Sequence, residues 1–539
     1  MAATPTTKSQ VQAYRFVLKR MESALVRRDA VMLHDPMRTH IRAGIAGLCL
    51  ALVAVAGVFI FGFFKPREAL GTSDEILIGA ESGATYVYVN NPTSRLIPVT
   101  NLASARLILV KQAGATGVGN AATATPRKIS DGILEDTPRE PLTGIPGAPM
   151  DIPRADELVE PKWSLCDTTD VDPALPTNSR LEKATITTTA VIGLDRMGRQ
   201  LGDDEALLVR SAQNRKHYLV YRGKRAEVDL QDPAVTLALN LAEDKADRRP
   251  VSNGLLNAIP EVPPLAPPDI PDRGRRPSGY QVLEHRIGDV VRTDRAEGEK
   301  FYVLLRSGRQ EITRSVANLI RARNTKDIAI PAVPLGVITA APQAAPADKI
   351  KVDDYPADVP TIVPVQRSVL ACLYWTFRDH KQETAITVAD RLVLPRGQQP
   401  VKLAQADGIG EHLDYVFLPA GRGASVRGVV PDQPEGTGTI YLVTDLGTKF
   451  GVPSMPQQNV SSLQLATALG LGNFQPAPEA ILRLLPKGAA LDPNAVRTYD
   501  SVPVPEGAGG QLPQPEPGGQ PLPAPQPGGN DGTTEGLGG

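Results

Sequence analysis

Two cysteines and two tryptophans are the residues whose types and spacing first suggest chemistry. Cys166 follows Trp163 by three positions, Cys372 precedes Trp375 by three, and the chain has only these two tryptophans. Paired thiols form lasting disulfides in oxidising compartments, whereas cytoplasmic thiols stay reduced. If this part of the chain lies outside the cytoplasm, the sequence predicts a Cys166–Cys372 disulfide with both tryptophans packed beside it; two buried free thiols are the alternative.

Other residues with chemical potential lack the spacing of a known site. A nucleotide-binding P-loop needs G-x-x-x-x-G-K-[ST], which does not occur in the chain, and neither does a G-x-S-x-G nucleophile elbow. Asp167, Asp170 and Asp172 lack the glycine and distal glutamate of a calcium loop, so a solvated loop is expected. No histidines pair at zinc-ligand spacing; they occupy positions 34, 40, 217, 285, 380 and 412. The sequence therefore predicts no catalytic residue, no metal and no cofactor.

The composition describes a large, loop-rich chain with balanced charge. Its 539 residues are 41% hydrophobic and include 50 prolines and 48 glycines, so a packed core and many turns are expected. The formal net charge is −1. Nucleic-acid-binding proteins normally carry a strong basic excess, so we expect no nucleic-acid partner.

A charge-free segment near the N-terminus predicts a membrane anchor. Residues 43–64, between Arg42 and Lys65, contain no charged residue. A helix needs about 20 apolar residues to cross the hydrocarbon core of a bilayer. Secretory signal peptides have a shorter apolar region behind a short basic segment, whereas about forty residues precede this one. The sequence predicts one transmembrane helix that is not removed; the alternative is a buried helix of a soluble core. Cys49 lies within the segment and is expected to be inert.

Small residues recur along one side of the predicted transmembrane helix. They are Ala43, Gly47, Ala51 and Ala54. Small side chains at such spacing let helices approach closely in lipid, so they are candidate packing residues, although alanine and glycine are common in membrane helices anyway.

The charge balance on the two sides of the apolar segment predicts its orientation. Residues 1–42 contain eight Lys/Arg and three Asp/Glu, a net charge of +5, whereas residues 65–106 contain four of each. Basic flanks stay on the cytoplasmic side. We therefore expect a cytoplasmic N-terminus, a C-terminal domain outside the plasma (inner) membrane, and an oxidising environment for Cys166 and Cys372.

The segment before the membrane has the pattern of an amphipathic helix. Apolar side chains recur at three- and four-residue spacing and so share one face; they are Val11, Tyr14, Leu18, Met21 and Leu25. Arg15, Arg27 and Arg28 are among the basic residues of the same segment. Such a helix can lie on anionic lipid or dock a cytoplasmic partner, and both interpretations remain open.

The remainder of the chain shows a pattern that occurs four times. Each copy has an aromatic or aliphatic strand, a polar turn, a second short strand and a leucine-rich, helix-like stretch; the copies begin at Tyr86, His217, Phe301 and Ile440. Gly223, Gly308 and Gly447 lie in three of the turns, as tight hairpins require. Such self-similarity predicts a repeat architecture; chance resemblance among hairpins is the alternative.

These segments together predict an α+β fold. An N-terminal amphipathic helix and a single transmembrane helix precede an elongated extracytoplasmic domain, in which a central β-rich domain is flanked by four small αβ repeats. The predicted boundaries are 1–42 for the cytoplasmic helix, 43–64 for the membrane helix, 65–500 for the outer domain and 501–539 for a Pro/Gly-rich tail that cannot bury enough apolar surface to order itself. The repeats span about 72–118, 195–250, 285–330 and 436–490, and the centre about 119–194 and 340–430.

Several segments resemble the EccB family over residues 6 to about 500. The opening TTKSQVQAYRFVLKRMESALVRRDAVMLHDPMR resembles the start of these proteins, and the mirrored Trp/Cys contexts also fit. Further segments in the same order are NLASARLIL (Asn101–Leu109), GIPGAP (Gly144–Pro149), NGLLNAIPEVPPL (Asn253–Leu265) and ILRLLPKGAALD (Ile481–Asp492).

The resemblance implies a structural role in a type VII (ESX) secretion system of the mycobacterial envelope. It implies an inner-membrane complex with EccC (an FtsK-like ATPase), EccD, EccE and a mycosin protease, and a six-fold ring with a large periplasmic part. The short N-terminus and the Pro/Gly-rich tail suggest the fifth ESX system. Family members are sometimes labelled ATPases, but this chain lacks a P-loop, so we expect no enzyme. A membrane-anchored protein that binds cell-wall peptidoglycan is the alternative function.

Overall fold

The computed structural model describes residues 7–28, 36–64, 69–90, 92–242, 246–325, 329–430 and 438–499. The chain divides into two compact units, Met1–Leu70 and Gly71–Gly539. The predicted tail at 501–539 lies outside the described residues.

The first unit contains two helices. Helix α1 (Lys8–Arg27) begins with a capping box, in which the side chains of Thr7 and Gln10 each accept a hydrogen bond from the other residue's backbone. Helix α2 spans Pro36–Phe64, and its stretch His40–Gly62 is long and apolar enough to cross a membrane. Proline is favoured in the first turn of a helix, where no intrahelical partner for its missing N–H exists.

The second unit starts with a four-stranded sheet of order β3-β2-β1-β4, in which β4 runs parallel to β1. Its elements are β1 (Glu75–Gly79), β2 (Thr85–Val89), β3 (Arg95–Pro98), α3 (Leu102–Thr123), β4 (Arg127–Ile129), α4 (Asp131–Glu135) and the short β5 (Thr143–Gly144). After α4 the chain returns to β3, where Arg139 forms a parallel bridge with Leu96.

Strands of the central sheet and a second small sheet follow. The central elements of this part are β6 (Lys162–Asp170), α5 (Thr177–Arg180), β7 (Thr185–Ile192) and β8 (Arg199–Gln200). The second small sheet contains β9 (Glu205–Ser211), β10 (His217–Tyr221), β11 (Lys224–Val228), α6 (Pro233–Ala238), β12 (Arg249–Val251), α7 (Asn253–Ala258) and β13 (Glu261–Val262). Arg222 and Gly223, both at positive φ, form the two-residue turn between β10 and β11, which matches the twist of the hairpin.

The third small sheet and the rest of the central sheet come next. The third sheet has β14 (Val290–Arg295), β15 (Gly298–Leu304), β16 (Arg309–Ile312), α8 (Arg314–Thr325) and α9 (Leu335–Ala340). The short β17 (Thr361–Ile362) pairs with β9. The central sheet continues with β18 (Leu370–Arg378), β19 (Lys381–Ala389), β20 (Val401–Lys402) and β21 (Tyr415–Phe417).

A fourth small sheet ends the described chain. It contains β22 (Gly423–Val429), β23 (Ile440–Thr444), β24 (Lys449–Val452), α10 (Ser462–Ala468), β25 (Gln475–Pro478) and α11 (Glu479–Leu482), and β26 (Arg497–Thr498) returns to pair with β5. The turn between β23 and β24 lies against β21, because a Cβ on Gly447 would meet the Val416 side chain at 2.2 Å.

The four small sheets share one connectivity. In each, three antiparallel strands precede a helix, and the next segment runs parallel to the first strand: β4, β12, residue 332 and β25. A short helix follows, and the chain then makes a parallel contact with the third strand. Four elements of this pattern were not part of the predicted repeat: the first strand, the parallel return, the short helix and the parallel contact with the third strand.

Helices join the small sheets in pairs. Buried leucines Leu107 of α3 and Leu465 of α10 belong to one core shared by the first and fourth sheets. Val235 of α6 and Leu319 of α8 belong to a core shared by the second and third. The first sheet thus packs with the fourth, which is distant in sequence, and the second packs with the third, which follows it along the chain.

The central sheet has the strand order β20-β21-β7-β6-β18-β19-β8. Strand β8 follows β7 in sequence but pairs with β19, whereas β20 and β21 follow β19 but lie beside β7, with which β21 pairs. The N-terminal half of the sheet therefore contributes one strand beside β19, and the C-terminal half contributes two beside β7. This exchange interlocks the N-terminal and C-terminal halves of the outer unit around the β6–β18 pair.

The structure places some boundary segments differently from the prediction. Residues 423–429 were assigned to the central domain, but as β22 they pair with β23 and β25 of the fourth sheet. Residues 127–129, also assigned to the centre, are β4 of the first sheet. Residues 127–129 were misplaced because β4 returns to its sheet after the helix that ended the predicted repeat. Residues 423–429 were misplaced because β22 is a first strand, which precedes the predicted repeat.

Candidate functional site

A disulfide lies at the middle of the central sheet. Cys166 of β6 and Cys372 of β18 are bonded, are buried, and face each other in the antiparallel register. The bond closes a loop with a sequence separation of 206 residues. Because β6 and β18 come from the two interlocked halves, the bond joins those halves covalently.

The disulfide belongs to a row of side chains that crosses five strands. Register pairs connect Tyr415 to Thr189, Thr189 to Cys166, Cys372 to Thr387, and the two cysteines to each other. Directly opposed residues point to the same face of a sheet. A threonine thus flanks the disulfide on either side.

The tryptophans lie on the other face of the same strands. Trp163 and Trp375 are paired in register and buried, but each is three residues from its cysteine, and side chains alternate faces along a strand. They pack in the large core with residues of α7 and α11, whereas the cysteines pack with Val191 and Phe417. The prediction that the tryptophans pack beside the disulfide is therefore replaced by packing on the opposite face.

A buried carboxylate follows Cys166 directly. Asp167 accepts hydrogen bonds from the backbone N–H of Ser252 at 2.6 Å, from its hydroxyl at 2.9 Å, and from the Thr188 hydroxyl at 3.0 Å. Burial raises the pKa of Asp167 to about 6, although these hydrogen bonds and the charge of Arg249 act in the opposite direction. Asp167 was expected in a solvated loop, but the structure places it inside the central domain.

The nearby Arg249 is also buried, in the edge strand β12. Its guanidinium donates to the backbone carbonyls of Ser368 and Val369, which precede β18. Burial lowers the pKa of Arg249 to about 10, and the charges of Asp167 and Asp247 oppose that shift. Hydrogen bonds of these two buried residues thus join the second small sheet to β6 and to the residues that precede β18.

The predicted apolar face of α1 is exposed. All five of its predicted residues are among the exposed large hydrophobic side chains: Val11, Tyr14, Leu18, Met21 and Leu25. Arg15, Arg27 and Arg28 are exposed as well. The helix therefore presents both apolar and basic side chains on its surface.

The small residues of α2 are exposed in the same way. Ala43, Gly47, Ala51 and Ala54 are exposed, and an added Cβ at Gly47 would meet nothing within 4 Å. A second helix would fit against such a surface at short distance.

One acidic cluster with a histidine was missed in the sequence. Asp407, Glu411 and His412 bring ligand atoms within 4.8 Å of one another. Asp407, however, already accepts from the N–H groups of Ile409, Gly410 and His412, and its Oδ2 lies 2.7 Å from His412 Nδ1. Burial raises the pKa of Asp407, but the hydrogen bonds outweigh it and the pKa lies below its ordinary value. The carboxylate thus closes a turn.

Comparison with known proteins identifies the family. The family described as "Type VII secretion system ESX-1, transport TM domain B" matches residues 3–504. The relative named "ESX-3 secretion system ATPase EccB3", from Mycobacterium tuberculosis, is 31% identical over 92% of this chain and 90% of its own length. The relative named "ESX-1 secretion system ATPase EccB1", from the same species, is 29% identical over 94% and 98%.

Solved structures of related proteins have the same fold. A chain in the structure of an intact ESX-5 inner membrane complex matches with a TM-score of 0.65 and 25% identity, covering 94% of this chain and 98% of that one. A chain of the EccB3 dimer from the ESX-3 core complex matches with a TM-score of 0.63 and 28% identity over 78% and 99%. Relatives from three ESX systems match at similar identity, so the assignment to the fifth system stays a prediction. Because the family match extends over both units, the chain belongs to the EccB family of type VII secretion membrane components.

Proposed function

We propose that this protein is a structural component of an ESX inner-membrane complex, in which it supports protein export. The observation that carries the proposal is the match to a chain of an intact ESX-5 inner membrane complex, which covers 94% of this chain and so includes both the membrane unit and the outer unit. A related chain from an ESX-3 core complex is a dimer, which supports self-association of the outer unit.

Two independent features support a topology with the N-terminus in the cytoplasm. The N-terminal flank of the apolar helix has a net charge of +5, and such flanks remain inside. The Cys166–Cys372 disulfide favours an oxidising compartment for the outer unit. Helix α2 then crosses the inner membrane once, and the outer unit lies in the periplasm.

In this arrangement α1 is the docking element on the cytoplasmic side. Its exposed apolar face and its arginines fit a partner with an apolar groove and acidic rim, and the family resemblance suggests EccC or EccD for that role. The small-residue stripe of α2 fits a membrane helix of a second subunit. EccE and a mycosin protease are further expected partners, and a six-fold ring is the expected geometry of the complex.

The small sheets fit a role as contact modules of the periplasmic part. We propose that the four sheets of shared connectivity are repeats of one unit, arranged about the central disulfide-bonded sheet. Paired cores and a covalent centre make a stiff body, and a scaffold needs such a body to transmit movement from the membrane side.

The ATPase label in the relatives' names does not fit the residues of this chain. ATP hydrolysis requires groups that hold the phosphates, and the sequence has no P-loop pattern. We infer that an associated ATPase supplies the energy and that this protein carries none of the hydrolytic residues.

Purification of the tagged full-length protein from its native membrane in a mild detergent tests the proposal. A native gel and mass spectrometry are expected to show a megadalton species that contains an FtsK-like ATPase. A lone monomer or dimer that persists under several mild extraction conditions would refute the scaffold role and leave the cell-wall anchor as the working hypothesis.

A further inference from the structure

A cavity of about 670 Å³ lies at the end of β6 in the central sheet. Small-molecule sites typically occupy about 300–1,000 Å³. The cavity lies beside the row of side chains that contains the disulfide, and Thr189 and Tyr415 of that row contribute to its lining. None of the features in the scaffold proposal uses this space.

Threonine and tyrosine hydroxyls line one side of the cavity. Thr168 and Thr187 are directly opposed in β6 and β7, and Thr189 and Tyr415 are opposed in β7 and β21. Among the described residues these four hydroxyls have no hydrogen-bond partner. On the other face of the same strands, Thr188 donates to Asp167, and the buried hydroxyl of Thr169 has no partner. The cavity side therefore offers four hydroxyls for a ligand.

The charges around the cavity disfavour an anion. Asp170 and Asp247 contribute two carboxylates, and Arg180 is the one cation among the lining residues. The Arg180 Nε and Nη2 atoms already donate to the carbonyls of Leu175 at 2.7 Å and Pro173 at 2.8 Å. The lining thus offers hydroxyls that donate and accept and carboxylates that accept, which suits a ligand rich in neutral hydroxyl groups.

Apolar surface completes the lining. The Tyr415 ring, Leu392 and Pro400 all face the same space. Sugar rings present hydroxyls at their edges and C–H groups on their faces, so they need both kinds of surface. An aromatic ring beside several free hydroxyls meets that requirement.

One wall of the cavity is formed by a connection between two strands that is longer than their pairing requires. Residues 171–184 connect β6 to β7, whereas the matching strands β18 and β19 are joined by only Asp379 and His380. Arg180 holds the longer connection in a compact shape, and Arg210 of β9 donates to its Leu181 carbonyl at 3.1 Å. A two-residue turn would join β6 to β7 equally well, so the extra residues build the wall.

We propose that this cavity binds a neutral saccharide of about two sugar rings, held by the hydroxyls of Thr168, Thr187, Thr189 and Tyr415 and by the Asp170 carboxylate. The proposal goes beyond the scaffold role and does not depend on it, because loss of a hydroxyl in the cavity leaves the membrane unit and the small sheets unchanged.

Titration of the full-length protein with cellobiose and with N,N′-diacetylchitobiose tests the proposal. The protein is placed in lipid nanodiscs, because alkyl-glycoside detergents carry competing sugars, and binding is followed by saturation-transfer NMR. At least one disaccharide is expected to give saturable binding. Thr187→Val and Tyr415→Phe are each expected to weaken it about fivefold, the effect of one lost hydrogen bond.

Thr384→Val is the matched control, because Thr384 is an exposed threonine of the same sheet, in β19, and does not line the cavity. It is expected to leave the affinity unchanged, and the unfolding transitions of all variants are compared to establish that they fold. The proposal is overturned if neither disaccharide binds, if the two cavity variants bind as tightly as the unaltered protein, or if inorganic phosphate competes for the site.

Discussion

Ser252 donates two hydrogen bonds to the buried carboxylate of Asp167, one from its backbone N–H at 2.6 Å and one from its hydroxyl at 2.9 Å. The same hydroxyl accepts from the N–H of Leu255 at 3.0 Å, so Ser252 caps helix α7 while it satisfies Asp167. Ser252 thus caps the end of α7 and also provides hydrogen bonds to the buried carboxylate. This contact joins β6, next to the disulfide, to the second small sheet.

The Asp167 carboxyl is expected to make the stability of the outer unit depend on pH. Its pKa is raised from 3.8 to about 6, chiefly by burial, so between these values the folded protein holds a proton that the unfolded chain has lost. Stability from this group is therefore fully present below about pH 4 and is lost as the pH rises through about 6, by about 3 kcal/mol in total.

Asp167→Asn isolates that contribution. The difference in free energy of unfolding between the unaltered protein and the variant is expected to fall by about 3 kcal/mol from pH 4 to pH 7, because asparagine does not titrate. Tryptophan fluorescence of the full-length protein in detergent measures it, since both tryptophans are buried in the central sheet. A difference that stays constant over this range contradicts the raised pKa.

The disulfide is expected to stabilise the interlocked halves. Replacing both cysteines, Cys166→Ser with Cys372→Ser, is expected to lower the free energy of unfolding by about 2–4 kcal/mol, mainly because the unfolded chain is no longer constrained. Cys49→Ser is the control and is expected to change nothing, because Cys49 is the free cysteine and lies in α2. Urea titration monitored by tryptophan fluorescence compares the three proteins.

Thiol counting checks the same bond chemically. The unfolded protein is expected to take up one alkyl group without reductant and three after reduction, as mass spectrometry would show. Three alkyl groups without reductant would mean that the cysteines are free in the native protein.

Local patterns predicted the features that depend on neighbouring residues. A charge-free run indicated α2, and the matching contexts of Cys166 and Cys372 indicated the disulfide. The face on which the tryptophans pack was missed. A three-residue offset places a tryptophan and its cysteine on opposite faces only if the segment is a strand, which the local pattern alone did not establish. The role of Asp167 was missed because Ser252 lies 85 residues away in sequence.

The parallel return strands were missed for a different reason. Strand β12 has three residues, and β25 contains two prolines, so neither has the alternating apolar pattern of a strand. Their positions are fixed by pairing with β9 and β22. The cavity beside β6 was also missed, because residues 171–184 have the composition of an ordinary loop.

Gly308 is expected to be essential for the third small sheet. A Cβ at this position would lie 2.3 Å from the carbonyl oxygen of Pro342, in the backbone that pairs with β16. Gly308→Ala is therefore expected to destabilise this sheet by about 1–3 kcal/mol, because the backbone must shift. Hydrogen–deuterium exchange of peptides from β15 and β16 is expected to be at least about fivefold faster.

Gly336 provides the matched control in the same sheet's short helix α9. An added Cβ there meets nothing within 4 Å. Gly336→Ala is expected to leave exchange unchanged or slow it slightly, because alanine favours the helix. Equal exchange in the two variants would show that the contact with residue 342 does not constrain the fold.

The exposed face of α1 is expected to decide whether the complex assembles. Leu18→Arg places a charge at the centre of the apolar face and is expected to reduce recovery of the ATPase with the tagged protein at least about tenfold, because a buried unpaired charge costs several kcal/mol. Gln12→Arg adds the same charge about 120° around the helix, outside the apolar face, and is expected to preserve recovery. Quantitative mass spectrometry of mild-detergent extracts measures both. Equal loss of the ATPase from both variants would indicate a general effect of charge on lipid contact. Equal recovery of the ATPase with both variants would exclude α1 as the docking element. Only a selective loss with Leu18→Arg supports a partner that binds the apolar face.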